Sequence, residues 1–220
     1  MLNNILVFTL IAALAAIFYI YPSLDFDSSS MFYRNVSGFY LQDNLLVFMI
    51  YKSAPVICGI FVLVASIRAF STFRKHKSFH AKYYKKIIYV TLVCLIGPGL
   101  LVHTALKDQM GRPRPREIVE FGGEKHYQRI FIKSNECNTN CSFPSGHASV
   151  GFMFFSLAFL YKGRTRLAIS AASVFLGFLI GSVRIIQGAQ FLSDVVFSGI
   201  VVYLTAYVLY LIMKPDEAAQ

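Results

Sequence analysis

The sequence predicts an all-α integral membrane bundle of six transmembrane helices, with both termini on the cytoplasmic side. Three observations predict it. Of 220 residues, 56% are hydrophobic and only 15% are charged, against about a quarter charged in a soluble domain. The apolar residues come in long blocks, and a block of roughly 18 or more is long enough to cross a bilayer. The cations, in net excess by +10, mostly flank those blocks on one side. That is the pattern of topology determinants and not of a nucleic-acid-binding stripe. Length fits one domain or two, and the spans are read as a single membrane domain over residues 1–220. The lipid bilayer is therefore an expected partner and nucleic acid is not.

The spans fall at about 4–21, 47–71, 87–106, 147–161, 167–186 and 191–213. Unpaired backbone polar groups are costly in lipid, so each is expected to be a helix. The first contains the cleavage-like triplet Ala13-Leu14-Ala15. "MLNN" has no basic residue ahead of it, however, and the apolar run continues through "IFYIY", so it reads as a retained helix. Lys52 interrupts the second, and 45–53 can lie in the interface instead. Pro98, in "GPG", is expected to kink the third. Gly177 and Gly181 on the fifth form a small-xxx-small pair where another helix can approach closely.

Orientation follows from the basic residues. Loop 72–86 holds Arg74, Lys75, Lys77, Lys82, Lys85 and Lys86; the turn "KGRTR" holds Lys162, Arg164 and Arg166; Lys214 follows the last span. Six crossings put these on one side, the cytoplasmic one. Segments 22–46, 107–146 and 187–190 then face outward. Cys58 and Cys94 fall inside spans and read as small apolar core residues. Cys137 and Cys141, in the outward "ECNTNC", read as a loop-stapling disulfide on an oxidising side; the other reading, a metal pair, lacks a second ligand pair nearby.

The outward side gathers the unusual polar residues. Lys107, Arg112 and Arg114 follow span three, Ser145, Gly146 and His147 open span four, Arg184 ends span five, and Gln190 and Asp194 open span six. One such residue would read as an interfacial side chain reaching for water. Four segments delivering cations, a histidine and a carboxylate to one depth read as function. The chemistry they suit is that of phosphate. Arginine binds phosphate oxygens in pairs and lysine adds a point charge. "PSGH" sets the Ser145 and Gly146 N–H groups at a helix N-terminus, which favours anions. His147 can move a proton near neutral pH. Gln190 and Asp194, four apart, share a helix face. The positions fit a carboxylate–histidine pair in which the histidine is missing, since a primary amide is neither a base nor a useful nucleophile.

Lys107-x6-Arg114-Pro115, Pro144-Ser145-Gly146-His147 and Arg184-x5-Gln190-x3-Asp194 resemble the three motifs of the type 2 phosphatidic acid phosphatase superfamily, with matching spacings throughout. The resemblance covers roughly residues 87–213, with the motifs in 107–194. It implies a metal-independent, cofactor-free phosphatase that works through a phosphohistidine. It assigns phosphate binding to Lys107, Arg114, Ser145, Gly146 and Arg184, the role of acid to His147, and that of the nucleophile's partner to Asp194. "GPGLLVHTALKDQMGRPRPRE" and "QGAQFLSDVVFSG" look most like the bacterial lipid A phosphatases. The implied substrate is a phosphorylated membrane lipid, lipid A first, with phosphatidylglycerophosphate, phosphatidate and undecaprenyl pyrophosphate as alternatives. The implied location is the bacterial inner membrane, with the site facing the periplasm. Two positions depart from the family. Val183 stands where serine is usual, and Gln190 stands where the family has its nucleophilic histidine. Three readings of Gln190 stand at this point: an introduced exchange, a natural non-catalytic relative, or a glutamine that orients water for direct attack, as in some GTPases. A chain without turnover would be a lipid-phosphate binding protein.

Overall fold

The computed structural model describes residues 2–76, 82–107 and 109–216. Of the basic loop expected at 72–86, residues 77–81 with Lys77 lie outside the described residues. The chain is mostly helical. Helix α1 (Leu2–Ile20) runs into the short α2 (Ser23–Ser30) through a 77° bend. A two-stranded hairpin follows, β1 (Tyr33–Arg34) and β2 (Gly38–Phe39), antiparallel with Tyr33 opposite Phe39. Then come α3 (Leu45–His76), α4 (Lys82–Cys94) continuing as a π-helix over Leu95–Leu106, α5 (Gly146–Phe152), α6 (Phe155–Phe159), α7 (Gly163–Ile186) and α8 (Leu192–Met213).

Among the described residues, four helical stretches are long and apolar enough to cross a membrane: Leu45–Arg68, Tyr84–Leu106, Gly163–Ile186 and Leu192–Met213; the bent α1–α2 pair makes up to five. The expected fourth span, 147–161, is different. It is the short apolar helix Gly146–Phe159, interrupted at Met153–Phe154 between α5 and α6. Even wholly helical, a stretch of this length would rise about 21 Å, short of a hydrocarbon layer of about 30 Å. Neighbouring helices cover it, and six of the seven residues of α5 are buried. Lys52 leaves the second span intact, because α3 is continuous from Leu45 through Pro55 to His76. Pro98, which offers no N–H and crowds the preceding turn, sits inside the wider π-helical winding.

The core lies between α4, the π-helix, α5, α6 and α8, where Tyr89, Val93, Val102, Phe152, Val195, Val202 and Ala206 pack. Large apolar side chains also face outward, among them Ile60, Leu63 and Ile67 of α3 and Phe175 and Ile212. A face of this size suits lipid and not water. Close helix approach depends on glycine. A Cβ on Gly151 would lie 2.4 Å from the Gly177 nitrogen, and one on Gly181 would lie 2.3 Å from a methyl of Val195. The paired glycines of α7 thus admit two different partners, α5 and α8.

The polar segment between the π-helix and α5 is tied down by ions. Arg112, 1% exposed, uses all five N–H donors of its fork. Nε donates to the Gln128 carbonyl (2.9 Å), Nη1 to Ser193 Oγ (2.8 Å) and Asp194 Oδ1 (2.5 Å), and Nη2 to Asp25 Oδ2 (2.7 Å) and the Tyr127 hydroxyl (3.2 Å). Burial by itself would weaken the Arg112 proton; the carboxylates of Asp194 and Asp25 reverse this and hold it above the ordinary arginine range. Asp25 also accepts from the Ser193 N–H (2.8 Å) and hydroxyl (2.7 Å). One buried cation therefore joins α2, the 107–145 segment and the first turn of α8. The segment is further closed by a Cys137–Cys141 disulfide, with Cα atoms 5.6 Å apart.

Two outcomes follow. Gly151→Ala forces a methyl onto the α7 backbone, which cannot step aside, and should cost about 1–3 kcal/mol. Thermal unfolding in detergent should report a lower midpoint, whereas Gly59→Ala, inside α3 and with nothing within 4 Å of the new methyl, should not lower it, since alanine is the better helix former. Asp194→Asn leaves half of a buried ion network unpaired, at about 3–5 kcal/mol. It should lower the midpoint in the Gln190 chain as it stands; an unchanged midpoint would mean that Asp194 does not carry the fold.

Candidate active site

Each motif residue sits at a helix end, because there the chain changes from apolar to polar and leaves backbone groups to be capped. Ser145 is the N-cap of α5, its Oγ accepting from the Ala148 N–H (3.4 Å). Its own N–H donates to the Asp194 carbonyl (3.0 Å), and the Ser198 hydroxyl donates to its carbonyl (2.8 Å). The Ser145 N–H expected to face phosphate is thus used to seat α5 against α8. Gly146 leaves room for its neighbours instead: a Cβ there would lie 3.1 Å from the His103 ring and 3.9 Å from Lys107 Nζ. The Lys107 ammonium, on a side chain 5% exposed, therefore reaches the start of α5.

His147, one residue on, stacks on the Tyr51 ring of α3 with centroids 4.8 Å apart. The Arg184 guanidinium lies 4.7 Å from the centre of the same ring. One tyrosine thus holds the expected acid and an expected phosphate-binding cation together. Arg184, at the end of α7, donates Nη1 to Gln187 Oε1 (2.5 Å). Its buried Nε has no hydrogen-bond partner among the described residues. Arg114 donates Nε and Nη2 to the Asn140 carbonyl (3.2 and 2.7 Å). Burial, then the neighbouring charge of Arg116, pulls the Arg114 pKa below the ordinary arginine range. An anion beside these clustered cations would offset their mutual repulsion.

The motif residues do not line one cavity. Arg114 and Arg184 line a polar cavity of about 260 Å³ with Tyr51, Arg116, Gln187 and others. His147 and Gly146 line a second, of about 370 Å³, with His103 and the small residues Ala54, Pro55, Cys58 and Gly59. The two meet at the Tyr51–His147 stack. Gln190, 2% exposed, lines neither, and its Oε1 has no partner among the described residues. Arg112, counted from sequence among the cations facing a ligand, is instead consumed by Asp25 and Asp194.

Asp194 differs from expectation in the same way. Oδ1 accepts from Arg112, and Oδ2 accepts from the Phe191 N–H (2.7 Å) and the Ser142 hydroxyl. No hydrogen bond joins it to Gln190. The carboxylate read as serving only the residue at 190 is an anchor for three other groups. Among the described residues no group of three His, Cys, Asp or Glu side chains is placed to hold a metal ion. Sequence reasoning missed Asp25, Tyr51, His103, Arg116 and Gln187. Arg116 and Gln187 adjoin motif residues and so carried a signal, whereas Asp25 and Tyr51 lie 87 and 96 positions from their partners Arg112 and His147 and carried none.

Comparison with known proteins follows this geometry. Residues 86–217 match the PAP2 superfamily. The lipid A 4'-phosphatase of Francisella tularensis subsp. novicida (strain U112) is 35% identical over 201 residues, covering 89% of each chain. That of Rhizobium leguminosarum is 30% identical over 200 residues, 84% of each. That of Rhizobium etli is 31% identical over 200 residues, 83% of this chain and 76% of that one. No solved structure matches the chain. Relatives that run along most of its length, with the family region over all three motifs, mean that the chain belongs to the PAP2 superfamily.

Proposed function

We propose that this chain is a single PAP2 membrane domain over residues 1–220, built to remove a phosphate from a membrane lipid without a metal ion, with lipid A as the substrate. The observation that carries the reading is the Arg184–Tyr51–His147 stack. A guanidinium nine-tenths buried, with Nε unpaired, is costly without an anion, and it stands one ring away from a histidine that can move a proton. The relatives, all named lipid A 4'-phosphatases, supply the substrate.

With histidine at 190, the chemistry is balanced by residues of this chain. An imidazole nitrogen bonds to phosphorus as the bond from phosphorus to the lipid oxygen breaks. His147 gives its proton to that oxygen. Water then attacks phosphorus, His147 takes back a proton, and the nitrogen–phosphorus bond breaks to free phosphate. Lys107, Arg114 and Arg184 neutralise the charge that grows on the equatorial oxygens. Gln190 supplies no such nitrogen, so the chain binds the phosphorylated lipid and does not turn it over. Retention of the carboxylate is compatible with natural loss of the histidine as well as with an introduced exchange. Asp194 anchors Arg112, so the fold keeps the carboxylate whether or not residue 190 is a nucleophile.

We also propose six crossings, both termini in the cytoplasm, and the site at the outer face of a bacterial inner membrane. Lys86 pairs with Asp216 at 2.8 Å, which joins the start of α4 to the segment after α8 at one end of the bundle. Arg166, at the start of α7, lies 4.9 Å from the Phe159 ring at the end of α6. The basic end is thus the end away from the motifs, as the positive-inside rule requires of the cytoplasmic face. The short Gly146–Phe159 helix makes the fourth crossing inside a sheath of longer ones.

Gln190→His should gain phosphate release from lipid A by several orders of magnitude; loss of a covalent nucleophile costs on the order of 10⁶ in subtilisin. Release measured by a phosphate dye in detergent should be the same with EDTA. A Gln190 protein as fast as its histidine version would put the water-orienting mechanism in place of the phosphohistidine, and activity that vanished in EDTA and returned with magnesium would end the metal-independent reading.

A further inference from the structure

We infer that the polar cavity beside the phosphate site reads the ring of a phosphorylated sugar, through Gln42, Asp43, Phe48 and Arg116. The inference rests on the phosphate reading of Arg114 and Arg184, which line the same cavity.

Asp43, exposed to solvent at the cavity, points to a ligand with more than a phosphate. A pocket for phosphate alone gains from cations and loses from a carboxylate, because like charges at close range repel. Asp43 lines this cavity with three arginines, yet it forms no ion pair or hydrogen bond with any described residue. A carboxylate left unpaired there suits a ligand that carries hydroxyl or ammonium donors next to its phosphate. Gln42 adds an amide that both donates and accepts. Arg116, exposed and likewise without a side-chain hydrogen bond among the described residues, adds donors to the same lining. Phe48, 48% exposed, offers an aromatic face to the C–H side of a ring. Carboxylate, amide, guanidinium and aromatic face together match a polyhydroxy ring and not an acyl chain. The size agrees. At about 260 Å³ the cavity falls just below the usual range for small-molecule sites, which begins at about 300 Å³; it takes one ring with its phosphate and not two.

The wall is also separate from the phosphate chemistry in the chain. Gln42 and Asp43 lie ahead of the family region at 86–217, in the segment between β2 and α3. The hairpin holds this segment over the motif turn: a Cβ on Gly188 would lie 2.4 Å from the Phe39 ring, and the Gln42 N–H donates to the Phe39 carbonyl (3.0 Å).

The test uses the full Gln190 chain in detergent, with no lipid substrate, and calorimetry with inorganic phosphate, glycerol 3-phosphate and glucosamine 4-phosphate. Glucosamine 4-phosphate should bind on the order of tenfold tighter than glycerol 3-phosphate, the effect of about one hydrogen bond to a charged group. Asp43→Ala and Gln42→Ala, both at exposed positions, should each shrink that margin. Asp43→Ala should at the same time leave inorganic phosphate binding unchanged or make it tighter, since it removes a like charge. Equal affinity for the two organic phosphates, or a margin that survives both substitutions, overturns the sugar subsite while the phosphate reading stands. If inorganic phosphate does not bind, or binds as well to an Arg184→Ala protein, the phosphate reading itself fails and the subsite fails with it.

Discussion

A guanidinium buried to 1% exposure constrains everything around it. Removing such an ion from water costs several kcal/mol even after relaxation, and the cost is recovered only when each donor finds a well-placed acceptor. Arg112 meets that demand with five acceptors drawn from α2, the 107–145 segment and the first turn of α8. These elements are far apart in sequence, and around the ions they also share apolar clusters, with Phe26 of α2 against Phe121 and Tyr127, and Tyr127 against Phe191. Once they meet, the Phe191 N–H is capped by Asp194, Ser145 is seated on the Asp194 carbonyl, and α5 begins where the motif needs it to begin.

The same network sorts charge. The carboxylates Asp25 and Asp194 are held on Arg112, behind the first turn of α8. The side chains of Arg114 and Arg184 donate to neutral acceptors, the Asn140 carbonyl and the Gln187 amide, and the two line a cavity together. Holding Asp25 and Asp194 on Arg112 favours an anion at Arg184, because a carboxylate bound to that guanidinium would compete with the ligand; Asp43, on the same cavity, forms no ion pair with it among the described residues. Here the competitor on Arg184 is neutral, the amide of Gln187. It fixes the guanidinium plane through Nη1 and leaves Nε available. Tyr51 completes the arrangement by giving His147 and Arg184 a common aromatic surface, so that the proposed acid and the proposed phosphate-binding cation hold their positions together.

Much of this was legible in the sequence, and the remainder was hidden for definite reasons. The long spans could be read because lipid tolerates few charges over about 20 residues. The motif residues could be read because polar groups at apolar helix ends stand out. The close approach at Gly177 and Gly181 could be read from spacing alone, although not that one faces α5 and the other α8. The shortness of Gly146–Phe159 could not, since an apolar run does not reveal the break at Met153–Phe154 or the helices that cover it. Nor could the double role of Asp194, because its partners Arg112 and Ser142 lie 82 and 52 positions away. That omission matters most. Spacing alone made Asp194 a servant of residue 190, whereas packing makes it a fixture of the fold that persists with glutamine there.

Position 190 is the proposed point of attack on phosphorus, beside residues proposed to bind the phosphate and protonate the leaving oxygen. Capture of the covalent intermediate tests this most directly. A Gln190→His protein mixed with lipid A carrying ³²P, and quenched within a single turnover, should yield one labelled peptide. The label should be stable in base and labile in acid, as a phosphorus–nitrogen bond is, and should map to residue 190. Label on His147, or rapid phosphate release with no labelled protein at any time, would contradict the account.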